Sequence, residues 1–405
     1  MAAADSHSED QKTRQLRRDH RRHAAVWAIL YWGLGWLLRA AFRLRLDPLP
    51  DPGGPRLILC NHPSMLDPMF LGLASREQFY FLSAESVFQR GLRSWLMERF
   101  LGPLVRQKGT VAAGAVIQML RMFRLGYSVC LFPEGIATGN GRMCPLLPST
   151  AKLVKTCKVT LVTYRLEGAY LQRPKWAACR RKGPIFGRAA GVYSPEELSA
   201  LSVSQIAELL HRDLYYDDYA WQREHRIPYP CRKGQAEGLE NFLYLCPGCQ
   251  SVGTLRGRGE TLTCDCGLRV PMDRYGFFTA PPYDSVLAWD DWQTPAFLEQ
   301  LRSGACTRLE VQGATLYRVR DHKAEPLYTG SMVMDPACWT LGGYRFPLDQ
   351  VKGLAVHGRN YLLFFVGEDH YEVKTLITKA RYSVYPFLAM YQYYSPAAGS
   401  KASVV

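Results

Sequence analysis

The sequence lacks an apolar run long enough to cross a bilayer. Its N-terminal apolar segment, Ala24–Leu38, has 15 residues, whereas a spanning helix needs roughly 18 to 20. No small-residue cleavage site of the secretory type stands out, and basic residues flank the segment on both sides. We therefore expect a helix that lies in the membrane interface. A buried amphipathic helix that covers the next domain is the alternative.

Three further features are missing. The sequence contains no internal repeat, no Gly-rich phosphate loop, and no low-complexity tract apart from the tail Ala397–Val405. The first absence excludes a repeat architecture, and the second excludes a nucleotide site of the P-loop type.

Disulfide frameworks are not indicated either, although the chain has twelve cysteines. Cys60 and Cys130 lie inside apolar runs and Cys157 lies near one, which is typical of cysteine as a small buried hydrophobic residue.

Four other cysteines form two close pairs separated by 14 residues, namely Cys246 with Cys249 and Cys264 with Cys266. Two such pairs on facing hairpins can supply four thiolates to a tetrahedral zinc ion. The second pair, Cys-x-Cys, is one residue tighter than the usual ribbon. Because four sulfurs leave no position for water, we expect a structural Zn²⁺; free thiols are the alternative.

Positive charge is in excess. Lys and Arg number 50 against 36 Asp and Glu, a formal net charge of +14, so acidic lipid, phosphorylated substrates and nucleic acid are the candidate partners. The densest basic run, Lys12–Arg22, directly precedes the apolar segment Ala24–Leu38, which is rich in Trp and Tyr. This pattern favours an anionic membrane surface at the cytoplasmic face. No nucleic-acid partner is expected, since the charge is not concentrated on the cysteine ribbon.

A polar segment, Asn61–Asp67, follows the strand-like run Leu57–Cys60. His62 and Asp67 are five positions apart, so they share neither a helix face nor a strand face. They can meet if the chain turns between them and a helix begins near Ser64, which would cap it. A carboxylate that orients an imidazole makes it a general base. The alternative is a capped loop with a surface histidine.

A second segment, Leu131–Gly135, reads Leu-Phe-Pro-Glu-Gly after another apolar run. Asn-His-Pro-Ser-x-x-Asp followed by Phe-Pro-Glu-Gly resembles the glycerolipid acyltransferase family, the enzymes that acylate lysophosphatidic acid. Leu101–Arg106 and Leu161–Arg165 are similar to the family's second and fourth blocks. The resemblance covers residues 25 to 215.

The resemblance implies a mechanism. His62 would accept the proton of a lysophospholipid hydroxyl, and Asp67 would hold the ring and stabilise its charged form. The alkoxide would attack the thioester carbonyl of acyl-CoA or of an acyl carrier protein. No acyl-enzyme is implied, so we expect neither a nucleophilic residue nor a catalytic cofactor.

The resemblance also implies a substrate site. Glu134 and Gly135 would lie in it, with the glycine allowing the backbone to approach the substrate closely. Arg106 and Lys108 are the candidate cations for the substrate phosphate, and solvated surface charge is the alternative for each.

The chain departs from the family pattern directly after this motif. The family commonly continues with a polar residue, Arg and Ser, whereas this chain reads Ile136-Ala137-Thr138. Arg142 could replace the missing arginine by reaching back from its glycine-rich loop. The acceptor head group therefore stays open, and so does weak or lost activity.

Strands that alternate with helices predict an α/β layered domain. Short β-prone runs after Pro281-Pro282 followed by a helix predict a small barrel or sandwich, similar in outline to a pleckstrin-homology-like (PH-like) module. The predicted segments are a basic arm and interface helix (1–45), an acyltransferase domain (46–215), a linker (216–240), a zinc ribbon (241–280), a β-rich module with a C-terminal helix (281–395) and a flexible tail (396–405).

Two other functions fit parts of the sequence. A catalytically silent lipid-binding scaffold could keep the same fold. A nucleic-acid-binding protein could use the cysteine ribbon and the positive charge. Thiol release from an acyl donor discriminates the first alternative, and salt-dependent nucleic-acid binding discriminates the second.

Overall fold

The computed structural model describes residues 2–84, 102, 104–106, 113–320, 323–375 and 383–395. The chain divides into two compact units. The first unit comprises Met1–Ile136, Leu146–Glu167 and Pro184–Tyr216, and the second comprises Ala137–Pro145, Gly168–Gly183 and Asp217–Val405. The segment expected as one acyltransferase domain therefore contributes two stretches to the second unit.

The first unit is an α/β layer, as predicted. Its helices are α1 (Ala2–Ile29), α2 (Gly35–Phe42), α3 (Asp67–Leu73), α4 (Ala113–Arg124), α5 (Ser149–Cys157), α6 (Pro195–Ala200) and α7 (Val203–Leu214). Its strands are β1 (Leu44–Leu46), β2 (Arg56–Cys60), β3 (Tyr80–Ala84), β4 (Leu104–Arg106), β5 (Val129–Leu131), β6 (Thr160–Glu167) and β7 (Ile185–Tyr193).

These strands form one sheet in the order β1-β7-β6-β2-β5-β3-β4. β2 lies at its centre, parallel to β5 and β6, and all five of its residues are buried. A parallel strand covered on both faces reads as a continuous apolar run, which explains the pattern Leu57–Cys60. β6 and β7 pair antiparallel. The sequence analysis missed β1, β4 and β7.

The N-terminal helix differs from its prediction. α1 and α2 are joined by a π-helical turn, Leu30–Leu34, and the stretch Thr13–Phe42 is long and apolar enough to cross a membrane by length and composition alone. Our prediction ended the apolar segment at Leu38 because Arg39 follows. In the structure the helix continues to Phe42, so the apolar window is longer than predicted.

One face of this helix packs on α3. The Trp27 Nε1–H donates to the Ser75 carbonyl (3.3 Å), and the Phe42 and Phe70 rings lie 5.4 Å apart. Arg39 donates to the Leu73 carbonyl. The helix is thus attached to the element that begins at Asp67.

Two other helix predictions have different outcomes. The segment near Pro195–Tyr215 is rich in Leu and Glu and predicts one helix. The structure has two, α6 and α7, because Ser202 begins a new helix with a capping box that includes Gln205. The helix predicted at Val87–Phe100 lies outside the described residues.

The second unit contains the cysteine ribbon and the β-rich segment. Its helices are α8 (Asp218–His225), α9 (Val286–Arg302) and α10 (Tyr385–Tyr394), with a single helical turn at Ala169–Gln172 and a 3₁₀ turn at Leu239–Asn241. Its strands are β8 (Leu255–Arg258), β9 (Thr261–Cys264), β10 (Arg269–Pro271), β11 (Leu309–Arg320), β12 (Lys323–Met334), β13 (Cys338–Leu341), β14 (Tyr344–Pro347), β15 (Val351–His357), β16 (Tyr361–Val366) and β17 (Asp369–Lys374).

β8–β10 form a three-stranded antiparallel sheet. The last seven strands form an antiparallel sheet in the order β14-β13-β12-β11-β17-β16-β15, and α10 packs on its apolar core through Phe387 and Met390. Several strands followed by one helix were expected here, whereas the helix α9, which precedes the strands, was not predicted.

Residues 216–240 do more than connect two domains. They include α8, and Tyr219, Tyr229 and Leu239 belong to a buried apolar cluster of the second unit. Cys179 and Cys231 form a disulfide, a pairing that the sequence analysis did not predict. The polar surroundings of these aromatic residues concealed their contribution to the core.

Candidate active site

His62 and Asp67 meet as predicted. β2 ends at Cys60, the chain turns, and α3 begins at Asp67. This turn brings the Nδ1 atom of His62 to 2.9 Å from the Oδ2 atom of Asp67. An ionised carboxylate only accepts hydrogen bonds, so Nδ1 carries the proton and Nε2 is the basic nitrogen.

Asp67 is fully buried. The same oxygen, Oδ2, also accepts the backbone N–H of Ser64 at 2.8 Å. Burial raises the pKa of Asp67 to about 6, and the hydrogen bond and charge of His62 and the Ser64 N–H act in the opposite direction. The carboxylate is thus positioned to stabilise an imidazolium that forms beside it.

The His62 ring is also held by stacking. It lies on Phe132 with 4.4 Å between ring centroids and 23° between the ring planes. The side chain is 14% exposed. One edge of the imidazole is therefore fixed by Asp67 and one face by Phe132, while part of the ring stays accessible.

Ser64 is not the helix cap that we predicted. The residue before α3 is Leu66, with no side-chain cap, and the Ser64 hydroxyl accepts the Leu66 N–H at 3.4 Å. Because the Asp67 carboxylate takes the Ser64 N–H, the tight turn extends to Leu66 and the helix begins three residues later than expected.

Glu134 contacts the backbone of His62. Its carboxylate is 1% exposed, with Oε1 2.6 Å from the backbone N–H of His62 and Oε2 3.2 Å from the hydroxyl of Tyr216. Gly135 follows with a φ of 75°, a left-handed conformation that glycine adopts readily. Its N–H donates to the Phe132 carbonyl at 3.0 Å.

Asn61 is a site residue that the sequence analysis left without a role. Its side-chain amide donates to the Leu166 carbonyl and its oxygen accepts the Leu166 N–H, both at 2.8 Å. This two-point contact joins the end of β2 to β6 and sets the direction in which the chain enters His62. Its position next to His62 in the motif was the available signal.

The structure describes the predicted phosphate-binding residues only in part. Arg106 ends β4, but its side chain lies outside the described residues, as does all of Lys108. Arg142 belongs to the second unit, where its guanidinium forms a two-point ion pair with Asp291. Their role in phosphate binding stays a prediction.

The four predicted cysteines of the second unit come together. Their sulfur atoms all lie within 4.8 Å of one another, with 3.7 Å between Cys246 and Cys266 and 3.7 Å between Cys249 and Cys264. A tetrahedral site with Zn–S bonds of about 2.3 Å has sulfur atoms about 3.8 Å apart. The cluster therefore fits a four-thiolate metal site.

The fold and the site combine an α/β layer with a candidate general base. An imidazole with its proton fixed by a buried carboxylate, placed where a central parallel strand ends, suits proton removal from a hydroxyl.

Residues 43–167 match the family model named Acyltransferase. The chloroplastic 1-acyl-sn-glycerol-3-phosphate acyltransferase BAT2 of Brassica napus is 26% identical over 124 residues, which is 30% of this chain and 36% of that protein. The chloroplastic LPAT1 of Arabidopsis thaliana, with the same described activity, is 28% identical over 99 residues, 24% of this chain and 28% of that protein. The chain thus spans about a third of these relatives.

Among solved structures, the chain is similar to the 1-acyl-sn-glycerophosphate acyltransferase PlsC from Thermotoga maritima, with a TM-score of 0.37 and 16% identity, over 45% of this chain and 77% of that one. Residues 43–167 thus carry an acyltransferase domain that is similar to part of these glycerolipid acyltransferases, as the two motifs predicted.

Proposed function

We propose that the protein transfers a fatty acyl group from the thioester of acyl-CoA or acyl carrier protein to the free hydroxyl of a lysophospholipid. 1-Acylglycerol-3-phosphate is the preferred acceptor, and phosphatidic acid is the product. The observation that carries the proposal is the 2.9 Å contact between His62 Nδ1 and the buried Asp67.

The reaction follows from this geometry. Nε2 of His62 takes the proton of the acceptor hydroxyl, and Asp67 stabilises the imidazolium. The alkoxide oxygen forms the new ester bond at the thioester carbonyl. The carbon–sulfur bond then breaks, and the thiolate leaves with the proton that His62 returns. Every step uses side chains of the protein, with no acyl-enzyme.

The acceptor phosphate needs a cation in place of the arginine that Ala137 replaces. Arg106, Lys108 and Arg142 are the candidates for this role, since guanidinium and ammonium groups form strong charge-assisted hydrogen bonds to phosphate.

The acceptor is tested with one labelled acyl donor. We expect thiol release and labelled phosphatidic acid with lysophosphatidic acid, and a kcat/KM at least roughly ten-fold lower with monoacylglycerol, which lacks the phosphate. A preference for monoacylglycerol would contradict the proposed acceptor. No thiol release above that of a His62→Ala variant would favour the silent scaffold.

We also propose that the N-terminal helix attaches the protein to an anionic membrane at its cytoplasmic face. Ile29, Trp32 and Trp36 are 71%, 67% and 67% exposed, and the basic run Lys12–Arg22 precedes them. Aromatic rings at head-group depth beside arginines and lysines are typical of membrane-surface helices.

The membrane proposal predicts vesicle binding that depends on these tryptophans. Replacing Trp32 and Trp36 together by Ser lowers the affinity for vesicles with anionic lipid at least about ten-fold, because two exposed apolar rings no longer enter the membrane. Co-flotation with vesicles measures this. Tyr393→Ser, which removes another exposed aromatic side chain (41%), leaves flotation unchanged. Equal flotation of all three proteins would refute this role of the helix.

For the second unit we propose a structural zinc ion held by Cys246, Cys249, Cys264 and Cys266. When bound, the metal supplies cross-links between the turn before β8 and the end of β9. The strand order and the helix α10 also support a PH-like module.

A further inference from the structure

We infer that Glu134 and Tyr216 form a positioning pair that fixes the backbone of the catalytic base. The inference rests on the proposed function, because it concerns the rate of proton removal by His62. It gives Glu134 a role other than the substrate contact that the family resemblance implies, and it adds Tyr216 to the site.

The contacts form a continuous chain. The hydroxyl of Tyr216 lies 3.2 Å from one carboxylate oxygen of Glu134, and the other oxygen accepts the His62 N–H at 2.6 Å. Glu134 is 1% and Tyr216 5% exposed. A charge-assisted hydrogen bond in a buried site is strong and directional, so the carboxylate restricts the position of the His62 main chain.

Tyr216 is itself anchored to the sheet that carries His62. It follows the end of α7, where Asp213 accepts the hydroxyl of Thr163 on β6 at 2.8 Å. The neighbouring Tyr215 carbonyl accepts a hydrogen bond from Arg165, also on β6, at 3.0 Å. These hydrogen bonds fix the position of Tyr216 relative to β6. The hydroxyl of Tyr216 in turn restricts the position of the Glu134 carboxylate.

The three residues come from three parts of the sheet layer. His62 follows β2, Glu134 follows β5, and Tyr216 follows the helix that is bonded to β6. Asp67 and Phe132 orient the imidazole ring, whereas Glu134 and Tyr216 hold the backbone from which that ring projects. Small displacements of a catalytic group lower the rate strongly, so losing either contact lowers kcat without weakening substrate binding.

The direct test is Tyr216→Phe, which removes only the hydroxyl. We expect kcat for acyl transfer to fall roughly ten-fold, since a hydrogen bond to a charged group is lost, with KM for donor and acceptor within two-fold of wild type. The matched control is Tyr391→Phe in the second unit, which also removes a buried tyrosine hydroxyl, here one that donates to the Val351 carbonyl at 2.8 Å. Tyr391 belongs to α10, whereas His62, Glu134 and Tyr216 belong to the first unit, so we expect the loss of its hydroxyl to leave kcat unchanged.

Two substitutions of Glu134 distinguish the positioning role of its oxygen atom from the effect of its negative charge. Glu134→Gln keeps an oxygen that can accept the His62 N–H, whereas Glu134→Ala removes it. We expect the Gln variant to retain at least about ten times the kcat of the Ala variant. A raised acceptor KM with unchanged kcat in either variant would instead assign Glu134 to substrate binding. Equal losses in both variants would assign the effect to its charge, and either result overturns the inference.

A measurement without turnover separates this inference from the proposed function. Hydrogen exchange of the His62 amide is expected to be slow in the wild-type protein and in Tyr391→Phe, and at least roughly five-fold faster in Tyr216→Phe. If the wild-type protein transfers no acyl group but shows this pattern, the proposed function fails and the positioning pair stands. Unchanged exchange together with unchanged kcat in Tyr216→Phe refutes the pair.

Discussion

Replacing His62 by alanine lowers kcat for acyl transfer roughly 10³-fold, because positioned general bases contribute about 10² to 10⁴ to a rate. The ring is held on one edge by Asp67 at 2.9 Å and on one face by Phe132, so water or a neighbouring group is poorly placed to replace it. Thiol release from a labelled acyl donor measures the loss. Circular dichroism checks that the fold is kept.

The acid limb of the wild-type rate tests the same assignment independently. We expect kcat to fall as the pH decreases through about 6, because burial raises the pKa of Asp67 to about 6 and the protonated acid no longer stabilises an imidazolium. The stability of the fold changes in the opposite direction. A raised pKa means that Asp67 disfavours folding while ionised, so this group's contribution improves between pH 6 and its ordinary value of 3.8.

Asp67→Asn serves as the control for this pH dependence. This substitution removes the carboxyl group whose pKa is about 6, so the acid limb assigned to Asp67 is lost from the residual rate. A His62→Ala variant with more than a tenth of the wild-type rate, or an acid limb that Asp67→Asn leaves in place, would contradict the dyad as the source of the chemistry.

Replacing Cys246 by serine is expected to release the metal and to unfold the ribbon of the second unit. A structural zinc ion contributes an apparent binding free energy of about 10 to 16 kcal/mol in zinc-finger peptides, most of which is folding free energy. The ribbon has three short strands, β8–β10, and four cysteine sulfur atoms that lie within 4.8 Å of one another. Metal content by mass spectrometry and limited proteolysis between residues 241 and 280 measure the effect.

Cys306→Ser is the matched control. Cys306 is a partly buried thiol of the same unit and lies outside the cluster, so we expect full zinc content and an intact ribbon. Less than one zinc per two wild-type chains after expression with ample zinc, or equal proteolysis of the two variants, would leave the ribbon without a metal.

The second unit shows why several predictions from sequence needed correction. The segment 216–240 is polar and contains turn residues, yet Tyr219, Tyr229 and Leu239 are fully buried. Likewise, the fixed partner of Arg142, Asp291, lies 149 positions away. The local sequence pattern indicates the average polarity of a segment. The burial of each side chain in that segment depends on which distant residues pack against it.

The amino-acid sequence by itself determined the features that depend on short separations. One turn over five positions brings His62 to Asp67, and the short loop within each cysteine pair brings its two cysteines together. Chain geometry allows few other arrangements over such short separations. The apolar run of β2 likewise indicated a strand buried on both faces. The family resemblance was carried by these same local motifs.

Only the tertiary structure decided the contacts between distant segments. Asn61 bonds to Leu166, Glu134 bonds to the backbone of His62, and Tyr216 bonds to Glu134, with separations of 105, 72 and 82 positions. No local periodicity encodes such pairs. They form because the strand order places the ends of β2, β5 and β6 side by side, and buried polar groups in that position require hydrogen-bond partners.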